Sequence, residues 1–154
     1  MKKISILLAI SVFLSSCSKP SQSGNVELKN GEGNNTSVEY DISEEDYNEL
    51  ISNGMTKENL RSILYESSTS CKSLCKNELT YDPKKAYITT NNDTLIVFFT
   101  FQAKNSFGVP GSDMSHLYFE QKTAENGSIY WRFIGDTYDL VMSRLEDLRE
   151  QEVS

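Results

Sequence analysis

The chain has 154 residues, with 15 Lys and Arg against 22 Asp and Glu, one His and a formal net charge of −7. A length of this order supports one hydrophobic core and argues against a second domain. The acidic balance argues against a nucleic-acid partner, because phosphate backbones are held by Lys and Arg through counterion release.

Lys2 and Lys3 precede an apolar run from Ile4 to Leu14, which ends at Ser15 and Ser16. A run of eleven residues is too short for a membrane-crossing helix, which needs ~20. A basic start, a short apolar stretch and small residues before a cut make a signal peptide over residues 1–16. Leu14, Ser15, Ser16 and Cys17 resemble the lipobox of bacterial lipoproteins. The resemblance implies cleavage before Cys17, a diacylglycerol on its sulfur and, in many Gram-negative bacteria, a third acyl chain. More than one chain is what stable anchoring requires. The same resemblance, with Ser18 where inner-membrane retention usually has Asp, implies the outer membrane, and the absence of an acidic surface-export tag implies its periplasmic face. Loss of the leader moves the net charge from −7 to −9, because two lysines leave with it.

From Ser18 to Ser37 the chain is dominated by Ser, Gly and Asn. This composition predicts a flexible tether over residues 17–37, with an end-to-end distance of about 25 Å. The folded part, residues 38–154, is then a single α+β domain.

In that domain Ser43 is placed to cap a helix with Glu44, Glu45 and Asp46 in its first turn and Gly54 at its stop. Thr56 caps a second run, in which Leu60, Ile63, Leu64, Cys71, Leu74 and Cys75 recur at helical steps, predicting a helix from Lys57 to about Asn77. After Pro83 the period changes to two. The segments AYITT, TLIVFFTFQA (Thr94 to Ala103), SHLYFEQK and SIYWRFIG predict four strands, with turns at Asn91, Asn92 and Asp93 and at Asn126 and Gly127. Leu95, Val97, Phe99 and Phe101 share one face of the second of these. Asp136 then caps a helix with Tyr138, Val141, Leu145 and Leu148 as its stripe. The expected architecture is helices followed by a four-stranded antiparallel sheet and a C-terminal helix.

Motifs for catalysis are sparse. The single His116 lies in a strand without a recognisable partner, and no phosphate loop, HExxH or GxSxG occurs. Cys71, Cys75 and His116 would make three zinc ligands, but the cysteine spacing is not that of a structural site. The chain therefore reads as a non-enzyme with no metal and no cofactor. With Cys17 lipidated in an oxidising compartment, Cys71 and Cys75 are the pair left for a disulfide. In an unbroken helix their side chains would be too far apart, so the bridge carries with it a helix that ends or distorts near Cys71.

The remaining candidate is AKNSFGVPGSD, Ala103 to Asp113, an eleven-residue connection with Asn105, Gly108 and Pro110-Gly111 suited to fixed turns. As a structural turn, Phe107 pins it to the domain; as an epitope, Lys104, Asn105, Phe107 and Gly108 contact a partner. The strand-KNSFG-strand pattern, with CKNELTYDPKKAYI before it, resembles a segment recurring in small uncharacterised exported and phage-encoded bacterial proteins. That likeness covers residues 70–122 and implies a fold more than an activity. Only residues 54–104 carry a net positive charge, +2, which suits an acidic partner. Two functions follow as expectations. One is a membrane-tethered protein-interaction module, such as an inhibitor, an immunity or exclusion factor or an envelope-complex accessory, held to the bilayer by Cys17 beside an envelope protein. The other is a small-ligand-binding lipoprotein using the sheet face, with Tyr118, Tyr130 and Arg132.

Overall fold

A computed structural model describes residues 21–140, other than 92 and 138. Its elements are β1 (Ser21–Lys29), β2 (Asn35–Ser43), α1 (Glu44–Ser52), α2 (Lys57–Leu74), a 3-10 turn (Glu78–Thr80), β3 (Asp82–Asn91), β4 (Thr94–Lys104), β5 (Pro110–Thr123) and β6 (Ile129–Asp136). The six strands form one sheet in chain order. β1 and β2 are an antiparallel hairpin, β2 lies parallel to β3, and β3 to β6 form an antiparallel meander. The parallel join is possible because α1 and α2 supply the long crossover it needs.

This architecture corrects the expected four-stranded antiparallel sheet between helices. The sheet is mixed, with two more strands, and α1 and α2 are inserted between β2 and β3. Residues 21–37, expected as tether, form β1 and the start of β2. A strand with one wet face needs an apolar residue only at every second position. Val26, Leu28, Val38 and Ile42 supply it, and all four are buried among polar neighbours. The hairpin loop is fixed by Asn30, whose Oδ1 accepts the Asn34 N–H at 2.9 Å, and by Gly31, whose N–H donates to Tyr81 O at 2.7 Å. A Cβ on Gly31 would stand 2.1 Å from Glu78 O, so no other residue fits there without displacing the 3-10 turn.

Ser43 caps α1, accepting the Asp46 N–H at 3.1 Å and donating to Asp46 Oδ2 at 2.7 Å. The other carboxylate oxygen, Asp46 Oδ1, accepts Thr90 N–H at 3.2 Å and Thr90 Oγ1 at 3.1 Å, tying the start of α1 to β3. Burial raises the Asp46 pKa, but the hydrogen bonds from Ser43 and Thr90 outweigh it and hold the carboxyl below its ordinary value. Thr56 and Asn59 form a capping box on α2, which runs unbroken to Leu74.

Both helices cover one face of the sheet. Leu50, Leu60, Ile63 and Leu64 join Ile88, Leu95, Val97, Phe99, Leu117 and Phe119 there in one buried core. Its buried polar contact is Ser68 Oγ to Tyr81 OH, 2.9 Å. The opposite face is open and carries a half-exposed row across β3, β4 and β5: Tyr87 beside Phe98 beside His116, with Ile96 beside Tyr118. The leader and Cys17 lie outside the described residues, as do Asn92 of the expected turn and, from the expected C-terminal stripe, Tyr138, Val141, Leu145 and Leu148. Asp136 and Asp139 exchange side-chain bonds, with Asp139 N–H donating to Asp136 Oδ1 at 3.0 Å and Asp136 N–H to Asp139 Oδ2 at 3.2 Å.

Candidate functional site

The stretch from Ala103 to Asp113, expected as a connection, is mostly strand. β4 continues to Lys104 and β5 begins at Pro110, paired across from it, so residues 105–109 alone form the loop. Beyond Phe101 the hairpin leaves the core. Residues 102–114 are exposed apart from the half-buried Ala103, and the ribbon projects as a two-stranded arm.

One side chain shapes the tip. Asn105 Oδ1 accepts the N–H groups of Phe107 at 2.9 Å and Val109 at 3.0 Å. The Asn105 backbone closes the turn, donating to Val109 O and accepting from Gly108 N–H, both at 3.0 Å. Gly108 takes φ 77°, a torsion without steric cost for glycine. Asn105 thus accepts the N–H groups of Phe107, Gly108 and Val109, while the loop's apolar side chains are left unpacked. Phe107 is 89% exposed and Val109 56%, so Phe107 does not pin the loop to the domain as a structural turn would require. Four of the expected contact residues are therefore adjacent: Asn105 and Gly108 set the shape, Phe107 is presented at the tip, and Lys104 stands at the base.

Lys104 anchors the arm through its backbone, its N–H donating to Thr80 Oγ1 at 2.9 Å. This bond brings together the arm, the 3-10 turn and the end of α2. Leu79 and Leu74 are exposed at that meeting point, 68% and 56%. Helical periodicity assigned Leu74 to the buried stripe, but the last turn of α2 leaves it unpacked; Leu79 and Val109 had no sequence signal because isolated apolar residues in loops have no period. A hollow of about 240 Å³ at the arm's base is lined by Leu74, Cys75, Lys76, Phe101, Lys104 and Asp113, among others.

Cys75 lines this hollow and Cys71 lies buried one turn earlier, so the structure brings Cys75 and Lys104 to one place. The expected disulfide is not formed: both cysteines are free. Because α2 continues through Cys71 without distortion, the two side chains run side by side, and Cys75 Sγ instead donates to Cys71 O at 3.4 Å. Burial pushes the Cys71 thiol up to about 12. Burial, and then the charges of Asp113 and Glu78, raise that of Cys75. Neither is a thiolate near neutral pH, and thiol nucleophiles need the opposite shift.

His116 lies on the open face, in edge contact with Phe98 at 4.7 Å between ring centroids, with the sheet between it and α2. Among the described residues no cluster of His, Cys, Asp or Glu has a geometry for a metal ion, and no helix is long and apolar enough to cross a membrane. On the same open face Arg132 Nε donates to Glu120 Oε1 at 2.7 Å and Lys122 pairs with Glu120 at 2.9 Å. These two partners lower the Glu120 pKa, Lys122 foremost. Tyr130 is exposed beside this group and Tyr118 lies 3.5 Å from Thr137 Oγ1. Comparison with protein-family models, with curated proteins and with solved structures finds no match to this chain.

Proposed function

We propose that the chain is a bacterial envelope lipoprotein, anchored through Cys17, that binds another protein through the β4–β5 arm and catalyses no reaction. The observation that carries this reading is Phe107, 89% exposed on a loop that Asn105 holds in one shape. An exposed aromatic on a preorganised tip loses little entropy on docking and supplies the apolar anchor that binding hot spots use. The thiols held protonated and the ion-paired open face give little support to an enzyme. β1 begins at Ser21, and the few residues between it and Cys17 span at most ~14 Å when extended. The domain is therefore kept close to the bilayer, and the partner it meets is a protein of the same membrane surface.

The test is site-specific photocrosslinking in cells, with the crosslinker at Phe107 and, as control, at the exposed Tyr65 of α2. A discrete adduct at Phe107, absent at Tyr65 and weakened by Lys104→Glu, is expected. Equal adducts at both positions, or none at Phe107, would remove the arm as the contact. Cys17→Ser should abolish acyl labelling and release the chain from membranes; recovery of the variant in membranes at the wild-type level would refute the anchor. A second reading, small-ligand binding, draws on the aromatic row Tyr87, Phe98 and Tyr118 of the open face; amide shifts confined to β3–β5 on titration with sugars or amphiphiles would support it.

A further inference from the structure

At the far end of α2 from the arm, edge strand β1 and the first turns of the helix bound a groove of about 340 Å³. Its floor is apolar: Val26 of β1 with Leu60 and Leu64 of α2. Tyr40 walls it, and its ring lies so close over β1 that a Cβ on Gly24 would stand 2.4 Å from the phenol oxygen. Lys57 and Arg61 line the rim. Both are exposed and neither has an ion-pair partner among the described residues, in a chain whose net charge is −7. Glu27 is the one carboxylate among the lining residues.

The strand beside this groove has an unused hydrogen-bonding edge. β1 pairs with β2 alone. Asn30 N–H donates to Asn34 O, so by the alternation of an antiparallel ladder the amides of Leu28, Val26 and Gly24 face β2. Those of Lys29, Glu27 and Asn25 face outward, and no described residue bonds to them. Protein edges left in this state are usually blunted by bulges, prolines, charged side chains or covering segments; β1 carries Glu27 and Lys29 but no proline, its register with β2 has no bulge, and no described segment pairs with its outer edge.

We propose that this groove takes an extended acidic peptide segment of a partner protein, which adds a seventh strand to β1. Main-chain bonds to Asn25 and Glu27 would supply the register, as in other strand-addition complexes. Alternate side chains of the added strand stand ~6.8 Å apart, and Lys57 and Arg61 are separated by about 6 Å of helix rise. Two carboxylates at alternate positions therefore match the two cations, with an apolar residue two positions away over Val26 and Leu64. The groove and the arm lie on different elements and at opposite ends of α2, so this site stands or falls independently of the arm.

The test titrates the full chain with a capped heptapeptide, Thr-Val-Thr-Glu-Thr-Glu-Thr, followed by amide chemical shifts. Shifts centred on residues 24–28 and 57–64 are expected, with binding that weakens as salt is added. Lys57→Glu with Arg61→Glu should weaken binding by about tenfold or more without unfolding, since both side chains are exposed. Asn25→Pro removes one outward N–H while leaving the β1–β2 ladder, and should weaken it similarly. Replacing both Glu of the peptide with Lys, or N-methylating its alternate amides, should abolish binding. The proposal is overturned if the heptapeptide does not bind, if the Lys or N-methylated peptide binds as well, or if the chain proves to be a dimer paired through β1.

Discussion

Asp46 joins the start of α1 to β3, and its removal is the sharpest test of how the helical layer is attached. In Asp46→Ala the capping bond from the backbone N–H of residue 46 to Ser43 Oγ persists, while two bonds from Thr90, at 3.2 and 3.1 Å, and the one from Ser43 Oγ are lost. Thr90 Oγ1 keeps Glu49 Oε2 at 2.9 Å, so the net loss is the Thr90 N–H bond and the Ser43 contact. Hydrogen bonds to a charged group contribute ~1.5–3 kcal/mol when buried, and this site is only partly buried, so about 2 kcal/mol is expected. At a urea slope of ~2 kcal/mol/M that moves the unfolding midpoint down by about 1 M. The loss depends on pH with a definite sign. The folded carboxyl titrates below its ordinary value of 3.8, so its contribution is complete above that value and disappears as pH falls through the folded value. Wild type and Asp46→Ala should therefore differ fully at pH 7 and converge in acid. A difference under ~0.5 kcal/mol at pH 7, or one that persists unchanged to pH 2, would refute the assignment.

Three further outcomes are expected. Phe107 buries only roughly 20 Å² of its ~200 Å², so at ~25 cal/mol/Å² Phe107→Ala should cost about 0.5 kcal/mol, against ~3–5 for the fully buried Phe99→Ala; thermal melts of the two variants decide. Alkylation of the unreduced native chain should modify Cys75 slowly at neutral pH and faster as pH rises above 9.0, its ordinary value, with Cys71 protected until denaturant is added; mass spectrometry that finds both blocked in denaturant would establish a disulfide instead. Gly31→Ala forces a Cβ against Glu78 O at 2.1 Å and should cost ~1–3 kcal/mol, read as a lower urea midpoint; a neutral effect would mean that the loop and the 3-10 turn move freely apart.

The meander was legible because its strands state their period openly. Leu95, Val97, Phe99 and Phe101 alternate without interruption, and Asn126-Gly127 marks the return of the chain. The N-terminal hairpin was not, since Ser, Gly and Asn around Val26, Leu28, Val38 and Ile42 have the composition of a linker, and only pairing with β3 makes that sparse alternation worth ordering. Nothing local to β2 indicates that its neighbour lies beyond two helices. At the arm, the turn chemistry of Asn105 and Gly108 could be read directly, whereas the exposure of Phe107 could not: it depends on how far β4 and β5 outrun the helices. The cysteine pair turned on the continuity of α2, which four successive hydroxyl residues, Ser67 to Ser70, make hard to read because such side chains compete with the helix for its backbone; Ser67 and Ser68 are buried helix positions.

The parallel join of β2 to β3 has a consequence for the order of folding. Every contact within the meander links neighbours in the chain, while Asp41 meets Tyr87 only after the intervening polypeptide has looped back. Closing that loop costs entropy that increases with its length, and transition states are reached fastest through short-range pairings. The meander is thus the natural nucleus, with the N-terminal hairpin its last addition. Until α2 docks and delivers β2, the inner edge of β3 stands open to any other extended chain. At high protein concentration, the helical crossover thereby sets the interval during which the chain can misassociate.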